Sequence, residues 1–284
     1  MAVPSFVTTK LLRKIKEMQV IENKAYSQYE ISSFETDAFY EARLNFYFGI
    51  IQDVGAKHSA LKGMSIADLQ KIGLTWVITR SIVDIYHYGV WMDILNAQTW
   101  AQKCQLFHCP RLVKLFDVEN KPILHAQTMW AIIDVKTGRP VRPESYIVDQ
   151  IGLPEESVRE DSKVPKFPTY QTFVKREFSS YSPKIAYLDT DYNHHVNNIS
   201  YVNWINEALP TSFRDKYKMS FIDCRWLKQT FRKDKITVFL GSATEEDEMQ
   251  AKEPKLYFRI ERQNENDVEN VFEAYTEWKE RGCF

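Results

Sequence analysis

Between positions 189 and 198 the chain reads Asp189-Thr190-Asp191-Tyr192-Asn193-His194-His195-Val196-Asn197-Asn198. Nine of these ten side chains can exchange a proton or form a hydrogen bond. Asp191, Asn193 and His195 alternate, and in an extended segment alternate side chains point the same way. One carboxylate, one carboxamide and one imidazole can therefore converge on a single point. An amphipathic stretch, residues 199–209, follows at once. As a helix it would aim its free N–H groups and positive dipole end at the same region. Such a set can polarise a carbonyl and position a water.

Other chemistries are less well supported. Cys224 is the only cysteine near a relevant strand, and its alternate neighbours Ile222 and Trp226 mark an apolar setting. A free cysteine there reads as core filler with a blunted thiol rather than as a nucleophile. His194 and His195 point opposite ways in a strand, and no HxxxH or HExxH pattern occurs. His58, His87, His108 and His125 are scattered and read as structural, so no metal and no cofactor is expected. Cysteines 104, 109, 224 and 283 lack metal-ligand spacing, and all four are expected to be reduced thiols.

The elements that must hold the motif occur twice. Thr36-Asp37 leads into an apolar helical stretch at 44–54, and Thr190-Asp191 leads into the one at 199–209, 154 positions later. Ala126-x-Thr128-x-Trp130 matches Ala274-x-Thr276-x-Trp278 at an offset of 148, and loop-length changes absorb the difference. Each half begins with a short strand, at 29–34 and 172–178. Each then has its helix, followed by extended runs rich in β-branched and aromatic residues. In the first half these are 75–86, 94–101, 112–118 and 123–135; in the second, 221–230, 235–241, 255–263 and 271–278. Turns are expected at 119–122, 136–139 and 264–267. One helix with about four strands is an α+β unit with an antiparallel sheet. The first helix is apolar around most of its circumference and must be wrapped rather than rested upon. The expected organisation is an N-terminal surface segment at 1–22, a first unit at 23–145, a linker at 146–169 and a second unit at 170–284.

Only one copy carries the chemistry. The counterpart of Asp191, Asn193 and His195 is Asp37, Phe39 and Glu41, so only the aspartate is shared. On a helical wheel Tyr201, Val202, Trp204, Ile205, Ala208 and Leu209 form the buried face of the second helix. Asn197 and Asn198 lie at its N-terminal end, where they can cap the helix, shape the mouth of a site, or both.

The 284 residues are 44% hydrophobic and 26% charged with a net charge of −1, the composition of a globular protein. No global charge points to nucleic acid, and no apolar run is long enough to span a bilayer. The first nineteen residues lack the apolar core of a signal peptide and read as a short surface helix.

The run Asp191-x-Asn193-x-His195-Val196-Asn197-Asn198-x-x-Tyr201-x-x-Trp204 resembles the signature of the acyl-ACP thioesterases. In the first half Gln52, His58, Trp76-Val77-x-x-Arg80, Trp91-x-Asp93 and Thr99-Trp100 agree. The resemblance runs from about Tyr26 to Trp278. It implies a tandem hotdog fold, each half a curved antiparallel sheet wrapped around a central helix. It also implies hydrolysis of fatty acyl-ACP to free fatty acid and carrier. Lacking a plastid transit segment, the sequence looks like a bacterial-type, cytoplasmic member, either a monomer or a homodimer. By resemblance Asp191, Asn193 and His195 fall on catalytic positions; Asn197 and Asn198 at the site mouth, and Trp76 and Trp91 in the first half, are the candidate substrate-binding residues. Phe46 and Phe48 could line an acyl tunnel with those tryptophans. A family glutamate is best matched by Gln229, a departure, because Gln can orient a water but not accept its proton at neutral pH. Asp223 is the candidate replacement carboxylate, on the expected strand with Gln229 but about 20 Å away along it. Arg232, Lys233 and Lys235, with Lys163, Lys166, Lys175 and Arg176, are candidate docking charges for an acidic carrier. An acyl-CoA thioesterase of the same fold and a non-catalytic acyl-binding protein are the alternatives.

Overall fold

A computed structural model describes residues 18–143, 166–191, 193–263 and 267–282. The expected N-terminal surface helix and most of the expected linker and of the turn at 264–267 lie outside them. The chain forms two compact units: Met1–Thr79 with Tyr88–Ser162, and Arg80–His87 with Lys163–Phe284.

The first unit holds strands β1 (Gln19–Ile21), β2 (Lys24–Glu30), β3 (Leu74–Ile85), β4 (Ile94–Ala101), β5 (Cys109–Phe116), β6 (Pro122–Asp134) and β7 (Pro140–Val141). Its helices are α1 (Leu44–Leu61) and α2 (Ile66–Gln70). The second holds α3 (Tyr170–Phe173), β8 (Arg176–Tyr181), α4 (Asn198–Glu207), α5 (Thr211–Lys216), β9 (Tyr217–Trp226), β10 (Lys235–Ser242), β11 (Lys255–Gln263) and β12 (Val268–Glu280). From Arg80 onward β3 belongs to this second unit and pairs antiparallel with β9. Strand order is β2-β4-β5-β6-β3 in one unit and β8-β10-β11-β12-β9 in the other. Replacing each strand by its counterpart converts one order into the other, so the duplication read from the sequence is a duplication of topology.

The repeated Ala-x-Thr-x-Trp explains itself. Trp130 Nε1 donates to Thr128 Oγ1 at 2.9 Å, and Thr128 Oγ1 donates to the Arg111 carbonyl at 3.2 Å. In the second copy Trp278 Nε1 donates to Thr276 Oγ1 at 2.8 Å, and Thr276 Oγ1 to the Leu256 carbonyl at 3.2 Å. An indole N–H drawn out of water needs a partner, and in both copies the threonine two residues earlier supplies it.

Helix α1 extends beyond the expected 44–54, because its buried face continues through Val54, Gly55 and His58. Ile50, Ile51 and Val54 are each at most 2% exposed, and each such side chain is worth about 1.5–3 kcal/mol on burial. Gly55 admits Arg111: an added Cβ would lie 3.0 Å from Arg111 Cδ. The buried Arg111 guanidinium donates to His58 Nδ1 at 3.1 Å, Thr99 Oγ1 at 3.2 Å and Ser59 Oγ at 3.2 Å. Burial, reinforced by that guanidinium, pushes His58 down to about 3. Its ring is therefore neutral and can accept the arginine's hydrogen bond.

The two opening strands are displaced from their expected places. The first ends at Glu30, because Ser32 N–H donates to Glu35 Oε2 at 2.9 Å and closes a 3₁₀ turn over Ser33–Glu35. In the second half residues 170–173 are helical, and pairing begins only where Lys175 N–H donates to the Ser242 carbonyl. Strand β9 stops at Trp226, four residues before the expected end at 230. The Leu227 and Lys228 N–H groups both turn to the Val271 carbonyl, and the chain leaves the ladder.

The cysteine reading is corrected as well. Cys104 and Cys109 are joined by a disulfide, while Cys224 is free and buried. The sequence between them doubles back, Gln105 and His108 exchanging backbone hydrogen bonds at 2.7 and 2.9 Å, and this brings the Cα atoms to 4.1 Å. Among the described residues no helix is long and apolar enough to cross a membrane.

Candidate active site

The motif lies in the second unit, between a 3₁₀ turn at Tyr187–Asp189 and helix α4. Asp191 shapes the loop. Its N–H donates to the His195 carbonyl at 2.9 Å, and its Oδ1 accepts from Asn193 N–H at 2.8 Å. His194 N–H returns to the Asp191 carbonyl at 3.0 Å, with His194 at φ 62°. Val196 N–H donates to the Thr230 carbonyl at 2.8 Å, tying the loop to the β9–β10 connection.

The first unit contains the same loop without the chemistry. Asp37 N–H donates to the Glu41 carbonyl at 2.8 Å, and Asp37 Oδ1 accepts from Phe39 N–H at 2.9 Å. Tyr40 N–H returns to the Asp37 carbonyl at 3.2 Å, with Tyr40 at φ 63°. Ala42 N–H donates to the Gly89 carbonyl at 2.9 Å. Thr36 and Thr190 each donate from Oγ1 to the carbonyl three residues back, at 2.8 Å. The anchoring turn is duplicated too. Val90 N–H donates to Asp93 Oδ2 at 2.8 Å, and Phe231 N–H to Asp234 Oδ2 at 2.9 Å. The shared aspartate thus has a structural reason to be shared. Asn193 and His195 stand where this same scaffold carries Phe39 and Glu41, and nothing in the backbone requires them.

His195 is half-buried, and the ring of Phe231 meets it edge-on at 5.0 Å. Burial lowers its pKa below the ordinary 6.5; the Asp191 carboxylate opposes that shift and His194 adds to it. The imidazole is therefore neutral at neutral pH and able to accept a proton. Phe231 went unnoticed in the sequence; its signal was the aspartate three residues on, matching Val90 and Asp93.

Asn197 is the N-cap of α4, its Oδ1 accepting from Ile199 N–H at 2.9 Å. Its own N–H donates to the Asp189 carbonyl at 2.7 Å. The Val196 and Asn197 N–H groups are thus engaged. Among the described residues Asn198, the first helical residue, is the backbone donor left at this end of the helix.

Gln229 is exposed in the β9–β10 connection, not on a strand, so it shares no strand face with Asp223. Its carbonyl accepts from Arg262 Nη1 at 2.7 Å, beside the Thr230 carbonyl that holds the motif loop. Asp223 is not a spare carboxylate. It is 2% exposed and takes a bidentate ion pair from Arg80, Nε to Oδ1 at 2.8 Å and Nη2 to Oδ2 at 2.6 Å. Cys224 is fully buried, and burial raises its thiol pKa well above the ordinary value, which leaves it inert.

Trp76 and Trp91 lie in the first unit. Trp76 is half-buried, donates from Nε1 to the Met64 carbonyl at 3.0 Å, and packs on Met64, Leu69, Ala101 and Ile132. Trp91 is 48% exposed in the turn before β4. Phe48 is 1% exposed on α1, and Phe46, on the same helix, is half-buried with its ring 5.9 Å from that of Tyr47.

Comparison with known proteins matches this chain to two family models: the acyl-ACP thioesterase N-terminal domain over residues 22–151 and the C-terminal domain over residues 171–280. Oleoyl-acyl carrier protein thioesterase 1, chloroplastic, of Arabidopsis thaliana is 26% identical, over 77% of this chain and 64% of its own length. A palmitoyl-acyl carrier protein thioesterase, chloroplastic, of Cuphea hookeriana is 25% identical, over 72% of this chain and 51% of its own. The chain thus spans less than two thirds of the length of these relatives. Among solved structures, an acyl-ACP thioesterase from Bacteroides thetaiotaomicron has a TM-score of 0.74 at 19% identity, covering 90% of this chain and 98% of that one. A 12:0-ACP thioesterase from Umbellularia californica reaches 0.76 at 16%, covering 93% and 100%. The duplicated topology is the tandem hotdog fold, and with both family models matched in order along the sequence, the chain belongs to the acyl-ACP thioesterase family.

Proposed function

We propose that the protein hydrolyses the thioester of fatty acyl-ACP, giving free fatty acid and carrier thiol. The observation that carries this reading is the second copy's Asn193 and His195, set on a loop whose backbone is matched in the first copy. In this mechanism His195 takes a proton from a water as that water attacks the thioester carbonyl. Asn193 holds the water in line, and Asn198 N–H, at the positive end of α4, receives the developing oxyanion. The tetrahedral intermediate then expels the thiolate, and the imidazolium returns its proton to sulfur. Gln229 orients groups at the mouth without exchanging a proton. Asp191 acts through the loop it folds and through the charge it places near His195. For the acyl chain the reading takes apolar surface of the first unit, Trp76 within it and the exposed Trp91 at its edge.

The direct test is release of free thiol from a panel of acyl-ACPs of varied length and saturation beside matched acyl-CoAs. Turnover is expected on the carrier substrates. Absence of turnover on every member, with the fold intact, overturns the proposal.

Asp191 separates its two possible duties. Asparagine can still accept from Asn193 N–H, so Asp191→Asn keeps the turn, whereas Asp191→Ala loses it. Asp191→Asn is expected to keep activity within about tenfold, and Asp191→Ala to lose about a hundredfold or more. Because the Asp191 carboxylate opposes the fall in the His195 pKa, its removal lets that pKa fall further. The acid limb of kcat/KM should then move to lower pH. Equal, severe loss in both variants would make Asp191 the proton acceptor.

A further inference from the structure

Beside its own copy of the motif loop the first unit exposes a band of large apolar side chains: Phe34, Tyr40, Val90, Trp91, Met92 and Ile94. We infer that this band is the docking surface of the chain's own N-terminal segment, residues 1–17, which seats there as a basic amphipathic helix. The inference stands apart from the thioesterase reading.

The band is continuous. Trp91 N–H donates to the Tyr40 carbonyl at 3.0 Å, and Met92 N–H to the Ile31 carbonyl at 3.0 Å. Phe34 lies in the 3₁₀ turn that follows Ile31 and is 76% exposed, and Tyr40 and Met92 are each 66% exposed. Scattered apolar residues on a surface need no explanation, but a contiguous group of this size marks a place where something binds. The duplication shows that the fold does not require it. The motif loops correspond at an offset of 154 and the anchoring turns at 141, as their paired hydrogen bonds establish. Tyr40 therefore corresponds to His194, and Trp91, Met92 and Ile94 to Arg232, Lys233 and Lys235. The same backbone is built with polar and charged residues in the other copy.

Pattern, charge and chain direction all point to the same occupant. On a helical wheel Leu11, Leu12 and Ile15 share one face, and Lys10, Arg13, Lys14 and Lys16 the opposite one. A helix of this kind has an apolar stripe to bury. Stretches 30–43 and 90–94, which carry the band, hold five carboxylates, Glu30, Glu35, Asp37, Glu41 and Asp93, against the single cation Arg43. An apolar stripe laid on the band brings the lysines at its edges toward that acidic border, their stems covering apolar surface. Strand β1 pairs antiparallel with β2, Gln19 opposite Tyr26. Traced back toward residue 1, the chain therefore heads along β2 toward Glu30, the end at which the band lies. Continuing that register sets Met18, which is buried, beside Ser27. From there to Ile31 is about 13 Å at strand rise, and residues 10–17 cover about 12 Å as a helix.

The test is limited trypsin digestion of the full chain, with cleavage after Lys10, Arg13, Lys14 and Lys16 followed by mass spectrometry. Two variants are compared with the unsubstituted protein. Phe34→Ser with Met92→Asn makes the band polar at two exposed positions, and asparagine tolerates the left-handed backbone at Met92. Leu11→Ser with Ile15→Ser removes the apolar stripe and leaves the folded units untouched. Cleavage in the segment is expected to be at least about tenfold faster in each variant, because proteolysis tracks the population of the undocked form. Equal cleavage rates in all three proteins overturn the docking. Slow cleavage that only the Leu11→Ser, Ile15→Ser variant relieves also overturns it, since the helix then sits elsewhere. A segment protected only when phosphatidylcholine–phosphatidylglycerol vesicles are added overturns it as well, and makes a lipid surface the occupant.

Discussion

Replacing His195 by alanine is expected to lower kcat by about 10²–10⁴-fold, the contribution of a positioned general base, while leaving the protein folded. The two halves of that expectation have separate causes. Rate falls because burial keeps the imidazole neutral and ready to accept a proton. The fold survives because the loop is built by backbone hydrogen bonds and by the Asp191 side chain. The imidazole adds a ring contact with Phe231 at 5.0 Å. The first copy is the natural control: the same backbone forms with Glu41 at that position. The check is thiol release from acyl-ACP alongside the thermal midpoint of the variant. A variant that turns over normally, or one that fails to fold, would remove His195 from the proposed role.

Asp223→Ala is expected to have the largest effect on stability, about 3–5 kcal/mol. Removing one partner of a buried ion pair leaves the other charge unpaired. The Arg80 side chain is 14% exposed and that of Asp223 3%, so water compensates little. The guanidinium of Arg80 also lies over the Phe167 ring at 5.3 Å, with Arg225 over the same ring at 4.3 Å and paired to Glu273. The loss therefore reaches a stacked, ionic cluster across β3, β9 and β12 of the second unit. Chemical denaturation should report it as a lowered midpoint with an unchanged slope. Material folded at low temperature should keep its kcat, because Asp223 is engaged by Arg80. A large fall in kcat with no fall in stability would return Asp223 to the chemistry.

Much of this was legible in the sequence, for identifiable reasons. Strand β4 and strand β11 were read to the residue, because β-branched and aromatic residues alternate there between clear turns. Helix α4 was read to within two residues at its C-terminal end, because Tyr201, Val202, Trp204 and Ile205 define one face and all are buried. The duplication was legible because a short motif repeated in order, and a Thr–Trp hydrogen bond explains why it had to. What escaped depended on partners distant in sequence. Strand β9 ends where two N–H groups turn to Val271, and no local pattern announces that. The 3₁₀ turns at Ser33–Glu35 and Tyr187–Asp189 depend on side chains, Glu35 and Asp189, that reach back three residues. Cys104 and Cys109 looked too irregularly spaced for a metal site, yet a tight reversal between them suits a disulfide. At the site, Asp191, Asn193 and His195 were expected to alternate along an extended segment, whereas Asp191 folds a tight turn there with His194 at φ 62°. The commitment of Asp223 to Arg80 was not foreseen, because it joins residues 143 positions apart.

The two matching loops also bear on how such a protein can change. Tyr40 and His194 accept the same left-handed backbone, at φ 63° and 62°, and Asp37 and Asp191 close the same turn around them. The architecture at this spot was solved once and inherited twice, and the residues that perform work could then be exchanged without disturbing it. The first copy is in that sense a spare chassis, already bent to shape, on which selection or an engineer could mount a second reaction.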